Sequence, residues 1–208
     1  MRKPEIAISL SGGGYRAAMY HLGALMYLHH LRLDENECFL DYINTISTIS
    51  GGSITGLWYM MQYAKGNVSE ESFKELYYKI CNEDLIATSV DHLLKSNRDS
   101  LIKEVIDSYD RVYFNNEKFG LILDSVGKGH IHHYSANGTD FNSGYGFRFQ
   151  ASARQQGDTR KKATGVIGND KNHIPAEIAK DVKLSEIMAV SSCFPGGFEP
   201  LNFPSDFE

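Results

Sequence analysis

No two cysteines in this chain stand at the C-x-x-C spacing of a metal or redox pair. The three present, Cys38, Cys81 and Cys193, are odd in number and far apart. A cysteine zinc site and a disulfide framework are both excluded as organising devices. No excess of positive charge exists either. The formal net charge is −5, whereas nucleic-acid binding goes with a basic face, so no nucleic-acid partner is expected. No apolar run is long enough to cross a bilayer: the longest, residues 17–31, contains three histidines. The opening Met1-Arg2-Lys3-Pro4-Glu5 lacks the apolar segment of a signal peptide. The expectation is a soluble, cytoplasmic protein, with peripheral membrane contact left open. No glycine loop ends in G-K-[ST], which excludes a P-loop, and no Asp-Gly pair occurs anywhere.

What the chain does have is an ordinary globular make-up. Its 42% hydrophobic and 23% charged residues, over a length of 208, fit one domain with a substantial core. Within it, two strand–glycine–helix units stand out. In the first, 5–10 (E-I-A-I-S-L) reads as a buried strand. Ser11-Gly12-Gly13-Gly14-Tyr15-Arg16 follows, then a helix from Ala17 to His30. Consecutive glycines expose several N–H groups, and a helix start adds a positive dipole end, so the loop suits negative charge. Three uses remain open. Gly12-x-Gly14-x-x-Ala17 matches the dinucleotide fingerprint, with Asp34 about 20 residues on. The loop also suits an oxyanion, or a tight turn with no ligand.

In the second unit, the β-branched run Ile43–Ile49 reads as a strand. Ser50-Gly51-Gly52-Ser53 follows, and Ile54, Leu57, Trp58 and Met61 form the apolar face of a helix. A strand that turns sharply into a helix lifts one side chain out of the backbone. Ser53 is read as that side chain, the exposed hydroxyl of a nucleophile elbow. Serine is also a favoured helix N-cap. Centred on Ser53, G-x-S-x-G would place glycine at 55, where Thr55 stands, with Gly56 one step late. A dinucleotide fold has no use for this second unit. An acyl-transfer enzyme needs both: N–H donors for an oxyanion, and a hydroxyl to attack.

Ser11-Gly12-Gly13-Gly14-Tyr15-Arg16, followed by Ser50-Gly51-Gly52-Ser53, resembles the patatin-like phospholipase family. That family pairs a G-G-G-x-[RK] oxyanion loop with a serine elbow about 40 residues later; here Gly14 and Ser53 are 39 apart, by 53 − 14. The stretch 189–198 (A-V-S-S-C-F-P-G-G-F) is similar to the family's small-residue helix end and Pro-Gly turn. The stretch 135–141 (S-A-N-G-T-D-F) is similar to its middle strand. The resemblance implies a three-layer α/β/α fold with a mainly parallel central sheet, as one catalytic domain over 1–208. It implies hydrolysis of carboxylic esters of phospholipids or lysophospholipids through a Ser–Asp dyad. Ser53 would be the nucleophile, with Gly12, Gly13, Gly14 and Ile54 around the oxyanion. Arg16 would steady the loop or meet a substrate phosphate. No cofactor and no metal are implied. The dyad's aspartate belongs to a D-G-[GA] motif after the Pro-Gly turn, and this sequence has none. Asp206 is the one aspartate beyond that turn, and Phe207 follows it. The expectation is therefore an N-terminal portion of the catalytic domain that alone hydrolyses esters poorly. A lipid- or protein-binding module without turnover, on the same scaffold, is the competing reading.

The remaining chain reads as scaffold. Helices are expected over 69–126: one capped by Ser69 with Phe73, Leu76, Tyr77 and Ile80 buried, one over Leu101–Tyr109, and a short one at Phe119–Leu123. Strands are expected over 130–136 and 145–151, with a turn region between them at Asn137-Gly138 and then Asn142-Ser143-Gly144. Residues 153–180 read as a surface loop, alternatively a flap whose Arg160, Lys161 and Lys162 touch anionic headgroups. A helix is expected over 184–190. His92, His130, His132, His133 and His173 can each be nominated as a base, and none carries a local signature.

Overall fold

The computed structural model describes residues 5–95, 100–153, 164–169, 173–202 and 205–207. Strand β1 (Ile6–Leu10), helix α1 (Gly14–His30), strand β2 (Ile43–Ile49) and helix α2 (Gly51–Lys65) form the two expected strand–loop–helix units. β-branched side chains at 43, 45, 46, 48 and 49 favour the second strand. β1 and β2 are parallel neighbours, with Leu10 beside Thr48. Both strands therefore deliver their carboxyl ends, and the loops that follow, to one edge of the sheet.

The sheet has six strands in chain order. β3 (His133–Thr139) runs parallel to β2, and β4 (Gly146–Ser152), β5 (Thr164–Gly168) and β6 (His173–Pro175) each pair antiparallel with the strand before. The fold is α/β as expected, but the sheet is mixed rather than mainly parallel. A parallel connection needs a crossover of a dozen or more residues. β3 and β4 are instead joined by the short turn after Asp140, whose carbonyl accepts the Gly144 N–H at 2.8 Å. Asn137 and Gly138 lie inside β3, opposite Arg148 and Phe147, and not at the turn. Residues 153–180, read as a loop, contain β5 and β6; Arg160, Lys161 and Lys162 lie outside the described residues.

One face of the sheet is buried through Leu10, Ile46, Thr48, Tyr134, Ala136, Phe149, Ala151 and Ile167. α2 lies on it, and every residue from Gly51 to Gln62 is buried. Helix α3 (Glu70–Asn82) starts where Ser69 accepts the Ser72 N–H, with Glu70 and Glu71 at its positive end. Its Phe73, Leu76 and Ile80 are buried as expected, whereas Tyr77 is exposed. Helices α4 (Leu85–Lys95), α5 (Leu101–Tyr109) and α6 (Phe119–Ser125) complete the helical middle, α4 being one more than the periodicity separates. After the short α7 (Ala176–Ala179), α8 (Leu184–Ser192) packs beside α2 and over β3, with Val190 against Gly138. On the other face of the sheet Ala7, Ser9, His133 and Arg148 are exposed.

Candidate active site

The backbone leaves β2 at Ile49 and enters α2 at Gly51, and the residue between them is Ser50. Its φ of 52° and ψ of −128° lie in a sparsely populated region for a non-glycine residue. Such a conformation costs about 1–3 kcal/mol and persists only where the surroundings over-determine it. A serine strained at a strand-to-helix turn is the geometry of a nucleophile elbow. The elbow serine is thus Ser50, three residues before the one the sequence singled out.

Ser53 lies in the first turn of α2, with 0% exposure. Its Oγ is 2.9 Å from Thr48 Oγ1 and 2.7 Å from Ser191 Oγ. The exposed hydroxyl expected there is absent because that turn of the helix faces the sheet. A signal for the correct phase existed: centred on Ser50, the pattern is Thr48-Ile49-Ser50-Gly51-Gly52, with its last glycine in register.

The first glycine loop meets this elbow. A Cβ on Gly12 would stand 3.1 Å from Ser50 Cβ and 3.7 Å from its Oγ. A Cβ on Gly51 would lie 2.1 Å from Gly14 O, and one on Gly52 2.2 Å from Leu10 O. The absence of those side chains lets the start of α2 press against the β1–α1 loop. Gly13 and Gly14 take φ values of 138° and 62°, which a side chain would resist. Gly12, Gly13 and Gly14 are all exposed. Two helix N-termini, those of α1 and α2, therefore converge beside Ser50, and the amides of a first helical turn lack partners within the helix.

Ile54 does not join them. It is the fourth residue of α2, and its side chain is 3% exposed. The amide that follows the elbow serine is that of Gly51. Arg16, in the first turn of α1, is exposed. His21, which the sequence reading passed over, is 6% exposed, and its Nε2 donates to the Ser11 carbonyl at 3.0 Å, tying the loop to α1. Its spacing of one helical face from Gly14 was the only sequence signal for it.

The nearby ionisable groups are quiet. Burial pushes the Tyr15 hydroxyl up to about 12, so it stays neutral. The Tyr109 hydroxyl lies 3.1 Å from Ser192 Oγ at the end of α8. Burial also raises the Cys193 and Cys38 thiols, which removes both as thiolate nucleophiles. The nominated histidines are placed elsewhere. His133 pairs with Thr45 while Asn137 pairs with Ile49, so His130, His132 and His133 sit toward the far end of β2, about 15 Å away at 3.3 Å per residue. His92, on α4, stands 4.0 Å from Glu104. The side chain of His173 lies outside the described residues. The Asp206 carboxylate accepts the Asn202 N–H at 2.7 Å and pairs with Lys103 at 3.4 Å. Those contacts, the Asn202 amide first, hold it below the usual carboxylate range. Among the described residues no imidazole or carboxylate hydrogen-bonds Ser50 Oγ.

No curated protein matches the chain. Among solved structures, the chain is similar to the human GIVD cytosolic phospholipase A2 in complex with methyl γ-linolenyl fluorophosphonate, an inhibitor, and terbium chloride. The TM-score is 0.58 at 13% sequence identity, over 90% of this chain and 29% of that one. At that identity the likeness concerns the fold, and this chain spans well under half of that protein. A profile of the patatin-like phospholipase family matches residues 8–206. The chain belongs to the patatin-like phospholipase family.

Proposed function

We propose that this chain carries the nucleophile and the oxyanion loop of a serine-dependent lipid acyl hydrolase, with Ser50 in the place first read for Ser53. The observation that carries this is the strained backbone of Ser50 beside Gly12. The substrate class is a carboxylic ester of a phospholipid or lysophospholipid, drawn from the surface of a membrane. Among the described residues no helix is long and apolar enough to cross one.

In the reaction, Ser50 Oγ adds to the ester carbonyl carbon while its proton passes to the aspartate of the dyad. The carbonyl oxygen becomes an oxyanion, facing the Gly51 N–H and the amides of Gly12 to Gly14. Collapse breaks the ester C–O bond, and the leaving alcohol takes the proton. Water, deprotonated by the same aspartate, then releases the fatty acid from Ser50. Loss of one oxyanion donor typically costs about two to three orders of magnitude in turnover. Arg16, exposed at the start of α1, is assigned to meet a substrate phosphate. The aspartate of the dyad is not among the described groups that touch Ser50.

The test uses the full-length protein and an alkyl fluorophosphonate, the inhibitor class held by the related phospholipase structure. Mass spectrometry should place the adduct on Ser50. Ser50→Ala should abolish it and lower hydrolysis of a lysophospholipid at least about a thousandfold, while Ser53→Ala keeps the adduct on Ser50. An adduct on Ser53 would return the nucleophile to that residue. No adduct at all would leave a binding module on the same scaffold.

A further inference from the structure

Ser50 is held from behind by α8. Its N–H donates to Ser191 O at 3.1 Å and to Ser191 Oγ at 2.9 Å. Ser191 Oγ in turn donates to Asn137 O at 2.7 Å and stands 2.7 Å from Ser53 Oγ. Ser53 Oγ is 2.9 Å from Thr48 Oγ1, which lies 3.2 Å from both Ser135 O and the Tyr134 hydroxyl. Four hydroxyls thus form one buried chain beneath the elbow.

Hydrogen accounting fixes the direction at both ends of the chain. A carbonyl only accepts, so the Ser191 and Thr48 hydrogens go to Asn137 O and Ser135 O on β3, and the Tyr134 hydrogen goes to Thr48. Ser53 has one hydrogen for two neighbours. Ser191 Oγ keeps a lone pair directed at the Ser50 amide. That amide is therefore turned away from the substrate side, which leaves the Gly51 N–H as the donor on that side.

On the reading that Ser50 is the nucleophile, we propose that Ser191 is its positioning residue. Its paired acceptors pin the amide of a serine whose φ is otherwise unfavourable, and Ser53 is the strut that holds Ser191. The position is 141 residues away in sequence, in the last turn of α8. The end of α8 is thus part of the active-site framework.

The test compares wild type, Ser191→Ala, Ser191→Thr and Ser53→Ala in the full-length protein. Amide hydrogen exchange at Ser50 reads the clamp, and the rate of fluorophosphonate labelling reads its catalytic consequence. Ser191→Ala should speed exchange at Ser50 while β1 and β2 stay protected, and slow labelling by about tenfold to a hundredfold. Ser191→Thr, which keeps the hydroxyl, should return both toward wild type. Ser53→Ala should shift both in the same direction by less. Unchanged exchange at Ser50 in Ser191→Ala overturns the proposal. If that variant does not fold, unchanged exchange in Ser53→Ala does the same. Failure of wild type to label defeats the nucleophile reading alone, because the exchange measurement still decides whether Ser191 clamps the elbow.

Discussion

Gly52 has no room for a methyl group. A Cβ there would stand 2.2 Å from Leu10 O and 2.7 Å from Ser11 O, both backbone atoms that cannot swing aside. Gly52→Ala should force α2 away from the β1–α1 loop, at a cost of about 1–3 kcal/mol or more. A lowered unfolding temperature, with slower labelling of Ser50, is the expected result; an unchanged temperature would show that the two loops do not touch as described. The sequence made these glycines visible as turn formers, yet their main role is close approach between distant segments, which leaves no local trace. The same limit explains the choice between Ser50 and Ser53. Both follow a β-branched run and precede an apolar helix. Which one stands at the turn depends on the strand ending at Ile49 and the helix starting at Gly51, a phase difference of less than one helical turn. Composition and periodicity do not resolve that, whereas a backbone angle of 52° at Ser50 does.

α2 is the element on which the two layers meet, and its packing overrides its helix propensity. Gly56 is interior to the helix, where alanine is ordinarily better by about 1 kcal/mol. A Cβ at 56, however, would lie 2.3 Å from Thr48 Cγ2 and 3.5 Å from Leu10 Cδ1. Gly56→Ala should therefore destabilise by about 1–3 kcal/mol in urea unfolding, and adding Thr48→Ser, which removes the obstructing methyl, should recover part of the loss. Stabilisation by Gly56→Ala alone would mean that α2 does not sit this close to β2. At this scale the sequence was most informative where one signal dominated: β2 follows its β-branched run, and α3 follows its cap and stripe. It was least informative where pairing overrode local preference. Asn137-Gly138 carries turn chemistry, but the Asn137 amide donates to Thr48 O at 2.8 Å and to Ser47 Oγ at 2.9 Å, which fixes it in the strand. β5 and β6 lie in a polar stretch whose strand character comes from the neighbours it pairs with.

Across the molecule, buried tyrosines join layers that the chain brings together late. Tyr134 on β3 reaches Thr48 on β2, Tyr109 on α5 reaches Ser192 on α8, and Tyr59 is enclosed within α2. Tyr113, with 3% exposure, has no hydrogen-bond partner for its hydroxyl among the described residues. Burial raises the hydroxyl of all four above the ordinary tyrosine range. In the unfolded chain they ionise near pH 10, while in the folded protein they hold their protons to higher pH. The stability they confer is fully present below pH 10. It falls as pH rises further, because the unfolded state has then released protons that the folded state retains. Each tyrosine kept neutral contributes a loss of about 1.4 kcal/mol per pH unit, and four together approach the whole stability of a typical domain within about two units. The expected outcome is cooperative alkaline unfolding above pH 10, with the buried share of tyrosinate absorbance rising in step with loss of helical circular dichroism. Ionisation of all tyrosines while the dichroism stays intact would contradict it. Tyr113→Phe isolates the effect. It removes a hydroxyl that no partner satisfies, so stability at neutral pH should hold or rise slightly, and the alkaline midpoint should move upward because one fewer group pulls protons off the unfolded state.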